Sequence, residues 1–210
     1  MIQELIAEYK KKKKDLKNRL KDFKKIWNEP ESVIFSELCF CICTPQAKAV
    51  ECDKAVKRLI KSGNLFKGNI EQIRSEIAGV RFPNNKSKYL YEARKQFSVN
   101  GRIVIKERID IKNIVESRNW LANNVKGIGF KEASHFLRNI GFGSDLAILD
   151  VHILKNMIRY GIIRTRPKTL NQVKYLELEN KLRTFSQEVK IPMDELDLLF
   201  WSAETGEIFK

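Results

Sequence analysis

Between Val125 and Lys131 the chain reads VKGIGFK, with two glycines one residue apart. The flanking segments have helical patterning, so the backbone must turn there between two helices. Gly127 and Gly129 permit positive φ and put no side chain between the backbone and an approaching ligand. The next helix, expected over about 131–139, opens with free N–H groups that suit a phosphate oxygen. An ordinary helix–turn–helix connection would use the same residues, and a lone GxG is weak evidence for more.

Helical punctuation runs the length of the chain. The pattern predicts helices at about 2–27, 32–43, 46–62, 69–78, 85–98, 111–122, 131–139, 150–159, 170–188 and 193–203. The five prolines, at 30, 45, 83, 167 and 192, all fall at segment boundaries, where a missing N–H and a fixed φ do least harm. Arg102–Lys106, RIVIK, alternates like a strand but is too short and isolated to imply a sheet, so it reads as a linker. No repeat of 20–50 residues is visible. The fold class expected is all-α.

Lys and Arg total 40 against 26 acidic residues, a net charge of +14. That excess favours a polyanionic partner, most simply nucleic acid, although solubility or a lysine-rich genome would also produce it. The densest basic run, Lys10–Lys14, lies on a first helix whose Leu16, Leu20 and Phe23 form an apolar stripe. The helix should therefore dock on the body of the protein, with its lysines a solvated face and a secondary source of long-range DNA attraction. No apolar run approaches the ~20 residues of a spanning helix, and the N-terminus lacks a signal-peptide pattern. The expectation is no membrane association and a cytoplasmic location.

Cys39, Cys41, Cys43 and Cys52 lie within fourteen residues. Their C-x-C-x-C-x8-C spacing does not match an iron–sulfur ligand set, and the first three sit in the apolar run SELCFCIC. Reduced core thiols are expected, and no metal site.

Lys131 heads the second helix of the turn, and Asp150 follows nineteen residues later at the start of the next helix. A lysine there can be a nucleophile when partial burial, nearby cations or a helix N-terminus favour its neutral form; otherwise it is one more surface lysine. Asp150 is also a preferred N-cap, a role compatible with chemistry. Phe82 and Trp201 read as core residues on composition alone, and Lys210 as a frayed surface charge.

The wording KGIG-x-KEASHFLRN, followed by ILDVH, resembles the archaeal-type 8-oxoguanine DNA glycosylase/AP lyases, within the helix-hairpin-helix glycosylases. The resemblance spans about residues 16–210 and is strongest at 125–152 and 195–210. It implies two helical subdomains flanking a DNA-binding cleft, without an iron–sulfur cluster. One subdomain would be residues 33–141, ending in the hairpin; the other would combine 1–32 with 142–210. It further implies that Lys131 is the Schiff-base nucleophile and that Asp150 assists it. Gly127 and Gly129 would grip the DNA backbone, in the family often with a bound monovalent cation. His152 would contact phosphate, whereas His135 would serve the hairpin's packing.

For the flipped base the resemblance implies Phe82 and Trp201 as aromatic faces and Lys210, through its carboxylate, as reader of the edge. 8-Oxoguanine carries an N7–H donor where guanine has an acceptor, so a buried group accepting from N7–H rejects guanine. Gln46 stands in the loop expected to face the orphaned base, where Thr44-Pro45-Gln46 departs from the family's threonine-alanine-asparagine. Arg81 and Lys86 are candidates for phosphate contacts. The implied partner is double-stranded DNA containing 8-oxoguanine, bound by a monomer. Two rivals are a sister glycosylase for another damaged base and a non-catalytic DNA-binding module. Lys210 and the absence of late cysteines argue against the first; the Lys131–Asp150 pairing and the aromatics argue against the second.

Overall fold

The computed structural model describes all of Met1–Lys210. Its elements run α1 (Ile2–Ile26), α2 (Glu31–Cys43), α3 (Ala49–Lys61), α4 (Asn64–Lys67), α5 (Ile70–Glu76), α6 (Pro83–Gln96), β1 (Ser98–Val99), β2 (Arg102–Ile103), a 3-10 turn (Lys106–Arg108), α7 (Ile114–Asn124), α8 (Phe130–Asn139), α9 (Val151–Arg159), α10 (Gln172–Val189) and α11 (Met193–Thr205). The fold is all-α apart from the short β1–β2 hairpin, so RIVIK is not wholly linker. The turn between its strands is Asn100-Gly101, both at positive φ. That dipeptide suits the tight hairpin turn whose twist matches paired strands, a signal that length alone obscured.

The chain divides into two compact units, residues 26–136 and residues 1–25 with 137–210. The boundaries expected from sequence lay at 33 and 141. The later boundary falls inside α8, because that helix's last turn is committed to the discontinuous unit. Arg138 there pairs with Asp197 on α11 and faces the Phe23 ring of α1 at 5.1 Å. A side chain on Gly141 would sit 2.7 Å from the Lys24 main chain.

The continuous unit is organised by α2. Between Ile34 and Cys43 every residue but Glu37 is buried, so nearly all of the helix surface there is given to the core. Phe35 packs against Phe66 and Phe97. All four cysteines are core thiols, as their apolar setting suggested. Burial pushes Cys43 up to about 12 and Cys52 to about 11; such thiols are poor nucleophiles at neutral pH. Phe82 is the N-cap of α6 and Pro83 its first residue, the position where proline gives up only an N–H with no helical partner. This places the start of α6 two residues before the 85 expected.

The discontinuous unit packs α1 and α9–α11. Helix α1 buries Leu5, Tyr9, Leu16 and Phe23. The Tyr9 hydroxyl donates to Glu195 on α11 at 2.7 Å. Tyr160 stacks against Phe200 at 5.3 Å and Phe185 at 6.1 Å, joining the end of α9 to α11 and α10. Burial raises the Asp197 carboxyl to about 7, with the Arg138 guanidinium opposing that rise. No helix is long and apolar enough to cross a membrane.

Candidate active site

The hairpin joins α7 to α8 through Val125–Gly129. Gly127 takes φ 83°, and a Cβ there would lie 2.6 Å from the Tyr89 ring. Glycine is therefore required twice, by backbone conformation and by the close approach of α6. Tyr89 as the reason was not legible from sequence.

Lys131 occupies the first turn of α8 with its side chain 23% exposed. Its Nζ lies 2.9 Å from Glu132 Oε1. Glu132 Oε2 accepts from the Gly129 N–H at 3.2 Å. One carboxylate thus engages both the ammonium and the glycine amide expected to meet phosphate. The sequence reading missed Glu132, although an acid in the first turn of a helix is a familiar signal. His135, one turn on, is buried with its ring edge-on to Phe40 at 5.5 Å. The carbonyls of Lys126, Gly127 and Ile128 accept no main-chain hydrogen bond, so their oxygens remain available to other partners.

A pocket of about 200 Å³ lies beside the hairpin, with Gln46, Phe82, Lys86, Tyr89 and Gly127 in its wall. Four of the residues singled out in sequence therefore share one pocket. Gln46 and Phe82 both adopt left-handed backbone, φ 54° and 61°. Non-glycine residues hold that conformation at a cost of about 1–3 kcal/mol, and such strain concentrates at functional sites. Phe82 is 46% exposed, so it is not core, and the Arg81 guanidinium lies over its ring at 4.8 Å.

Lys86 is not the phosphate ligand its charge suggested. It is 3% exposed, and its ammonium donates to the Cys43 carbonyl at 2.6 Å and the Pro45 carbonyl at 2.8 Å. Burial lowers its pKa. The charge braces the Thr44–Lys48 loop that carries Gln46, a task that sequence cannot distinguish from a surface role.

Asp150 stands in the discontinuous unit as the N-cap of α9. Its Oδ1 accepts from the N–H groups of His152 and Ile153, both at 2.8 Å. Oδ2 takes neither bond, so the cap leaves half of the carboxylate for other work. The approach to Asp150 is fixed by α10: the Tyr175 hydroxyl donates to the Ala147 carbonyl at 2.6 Å, and Glu179 accepts from the Ala147 N–H at 2.8 Å. His152, half-buried, sets its ring edge-on to Trp201 at 6.5 Å. Trp201 in turn stacks with Phe209 at 6.3 Å. Glu204, also missed in the sequence, bridges Lys155, Arg159 and Asn156 and so ties α11 to α9. Lys210 is half-exposed at the end of this segment.

A helical chain with a glycine hairpin between two of its helices and a lysine in the first turn of the second is built like the helix-hairpin-helix glycosylases, the fold that the solved structures below share with it. The family described as 8-oxoguanine DNA glycosylase matches residues 16–191. A relative from Fusobacterium nucleatum, named 8-oxoguanine DNA glycosylase/AP lyase, is 47% identical over 96% of this chain and 94% of its own length. The crystal structure of the Methanocaldococcus jannaschii 8-oxoguanine glycosylase/lyase, in complex with a 15mer DNA containing 8-oxoguanine, superimposes with a TM-score of 0.87. It is 34% identical over 98% of this chain and 99% of that one. The 8-oxoguanine DNA glycosylase of Thermotoga maritima also gives 0.87, at 32% identity over 100% and 98% of the two chains. This chain belongs to the 8-oxoguanine DNA glycosylase/AP lyase family.

Proposed function

We propose that this protein removes 8-oxoguanine from duplex DNA through a Schiff base on Lys131 and then nicks the abasic strand. The observation that carries the reading is Lys131 itself, two residues beyond the turn of the glycine hairpin and partly withdrawn from solvent. A backbone phosphate reaching Gly129 exchanges with Glu132 for the amide, and the carboxylate's hold on the ammonium loosens with it. Once the ammonium has passed a proton to water, the neutral amine attacks C1′ of the extruded nucleotide, the C1′–N9 bond breaks, and 8-oxoguanine leaves with the bonding pair and takes a proton from solvent. Asp150, through the oxygen its cap leaves over, stabilises the positive charge developing on the sugar. The resulting Schiff base acidifies C2′, and β-elimination expels the 3′ phosphate.

Phe82 and Trp201 offer aromatic faces to the base, and Lys210 reads its edge. Gln46 answers the orphaned base, while Gly127, Gly129, Arg81 and His152 serve the phosphate backbone. No redox cofactor or catalytic metal enters these steps. The excess of Lys and Arg supports DNA attraction. We take the enzyme to act as a monomer on chromosomal DNA in the cytoplasm.

Borohydride trapping on a duplex with one 8-oxoguanine tests the chemistry. Wild type should give a covalent adduct and Lys131→Gln none, with DNA affinity kept. An adduct undiminished in Lys131→Gln would move the nucleophile elsewhere. No adduct in either protein, with tight binding retained, would favour another lesion or a binding module.

A further inference from the structure

Helix α11 ends at Thr205, and Gly206 takes φ 83° to turn the chain back. Beyond that turn the tail is held at two points. The Phe209 ring stacks with Trp201, as above. The Phe209 carbonyl accepts from Arg19 Nε on α1 at 3.0 Å, a contact between residues 190 positions apart. Arg19 is itself fixed, for its guanidinium lies over the Phe23 ring at 4.4 Å. The other side of that contact leads back to α11, because Phe23 also faces Arg138, which pairs with Asp197. Two cations meeting one buried ring, one of them anchored to a buried carboxylate, give Arg19 few other places to go.

We propose that Arg19 is a positioning residue for base selection. It latches the Phe209 carbonyl and so fixes the peptide from which Lys210 projects. One part-buried hydrogen bond adds only modestly to the net stability of a whole chain, so fold stability is not the main consequence of this geometry. A flexible tail samples many directions, and a reader of one N7–H must hold one of them when the base arrives. The latch supplies that order, while the Phe209–Trp201 stack couples the tail to an aromatic face offered to the same base. The inference rests on the assignment of Lys210 to base recognition.

The experiment compares Arg19→Met, a chain lacking Lys210, and the two changes combined. Methionine keeps the apolar stem against Phe23 and removes the donor. Two substrates are used: a duplex with one 8-oxoguanine, and a duplex with a preformed abasic site, which has no base to select. Each single change should slow 8-oxoguanine excision by about 10–100-fold, the range for a lost hydrogen bond to a charged group. Abasic-site cleavage should stay within about 2-fold, and the combined change should be no worse than either alone, because the two act as a unit. Impairment without Lys210 but normal excision by Arg19→Met would sink the latch and leave the Lys210 assignment standing. Normal excision without Lys210 would remove that assignment, and the latch with it. Equal loss on both substrates in Arg19→Met would reduce Arg19 to a structural residue.

Discussion

The hairpin draws Gly127, Gly129, Lys131 and Glu132 from six consecutive positions, whereas the tail after α11 is held by Arg19 from 190 residues away. Each fixes one group that the proposed chemistry needs. The hairpin does so with local geometry: one strained glycine, one helix start, and one carboxylate adjacent to its lysine. The tail depends on α1, α8 and α11 all being packed, since Arg19 lies on Phe23, and Phe23 faces the Arg138–Asp197 pair. Local contacts form at little loop-closure cost, whereas distant ones come only with the rest of the core. Loosening the discontinuous unit should therefore harm base selection before it harms the nucleophile.

Asp150 gives the largest expected effect, because it lies in the non-local unit yet is assigned to chemistry. Asparagine caps helices about as well as aspartate. Asp150→Asn should therefore leave the melting temperature nearly unchanged while slowing 8-oxoguanine excision by about 10²–10³-fold, the scale of one lost electrostatic stabiliser. Unchanged excision at unchanged stability would reduce Asp150 to a cap.

Gly127→Ala strikes the local side. The new Cβ meets the Tyr89 ring at 2.6 Å in a backbone conformation at φ 83°. A cost of about 1–3 kcal/mol is expected, with DNA affinity down about 10-fold as the loop distorts. Calorimetry and a binding titration would check both; an alanine variant that binds DNA normally would show that the hairpin's shape is not what grips the backbone.

Glu204→Gln should have the smallest effect. Its hydrogen bond to Lys155 lowers the pKa of Glu204. A carboxylate held below its ordinary value adds stability above that value and loses it as pH falls through the lowered one. Wild type should therefore exceed Glu204→Gln by about 1 kcal/mol near pH 7, or about 2–4 °C. The gap should close as pH falls below 4.5, the ordinary value for glutamate. A gap that persists at low pH would mean that α9 and α11 are joined by packing and not by this carboxylate.

The helix pattern, the basic excess and the hairpin wording were all readable without coordinates, because periodicity and glycine placement are local properties. What failed to show were roles that depend on a distant partner. Lys86 looked like any other lysine among 40 basic residues, and only the fold shows its ammonium turned inward on two carbonyls. RIVIK looked like a linker because its partner strand is two residues long. The unit boundary inside α8 follows from where Arg138 finds Asp197, a meeting between residues 59 positions apart.

Sequence by itself determined the all-α class, the turn at Gly127 and Gly129, the lysine at the head of α8 and the cap at Asp150, since each is set within a few residues by backbone conformation and side-chain type. Only the tertiary structure decided which charges are spent inside and which remain outside. It gathered Gln46, Phe82 and Gly127 around one pocket, and it brought Arg19 to the tail. Burial and long-range pairing are properties of the packed chain, and no short stretch of sequence contains them.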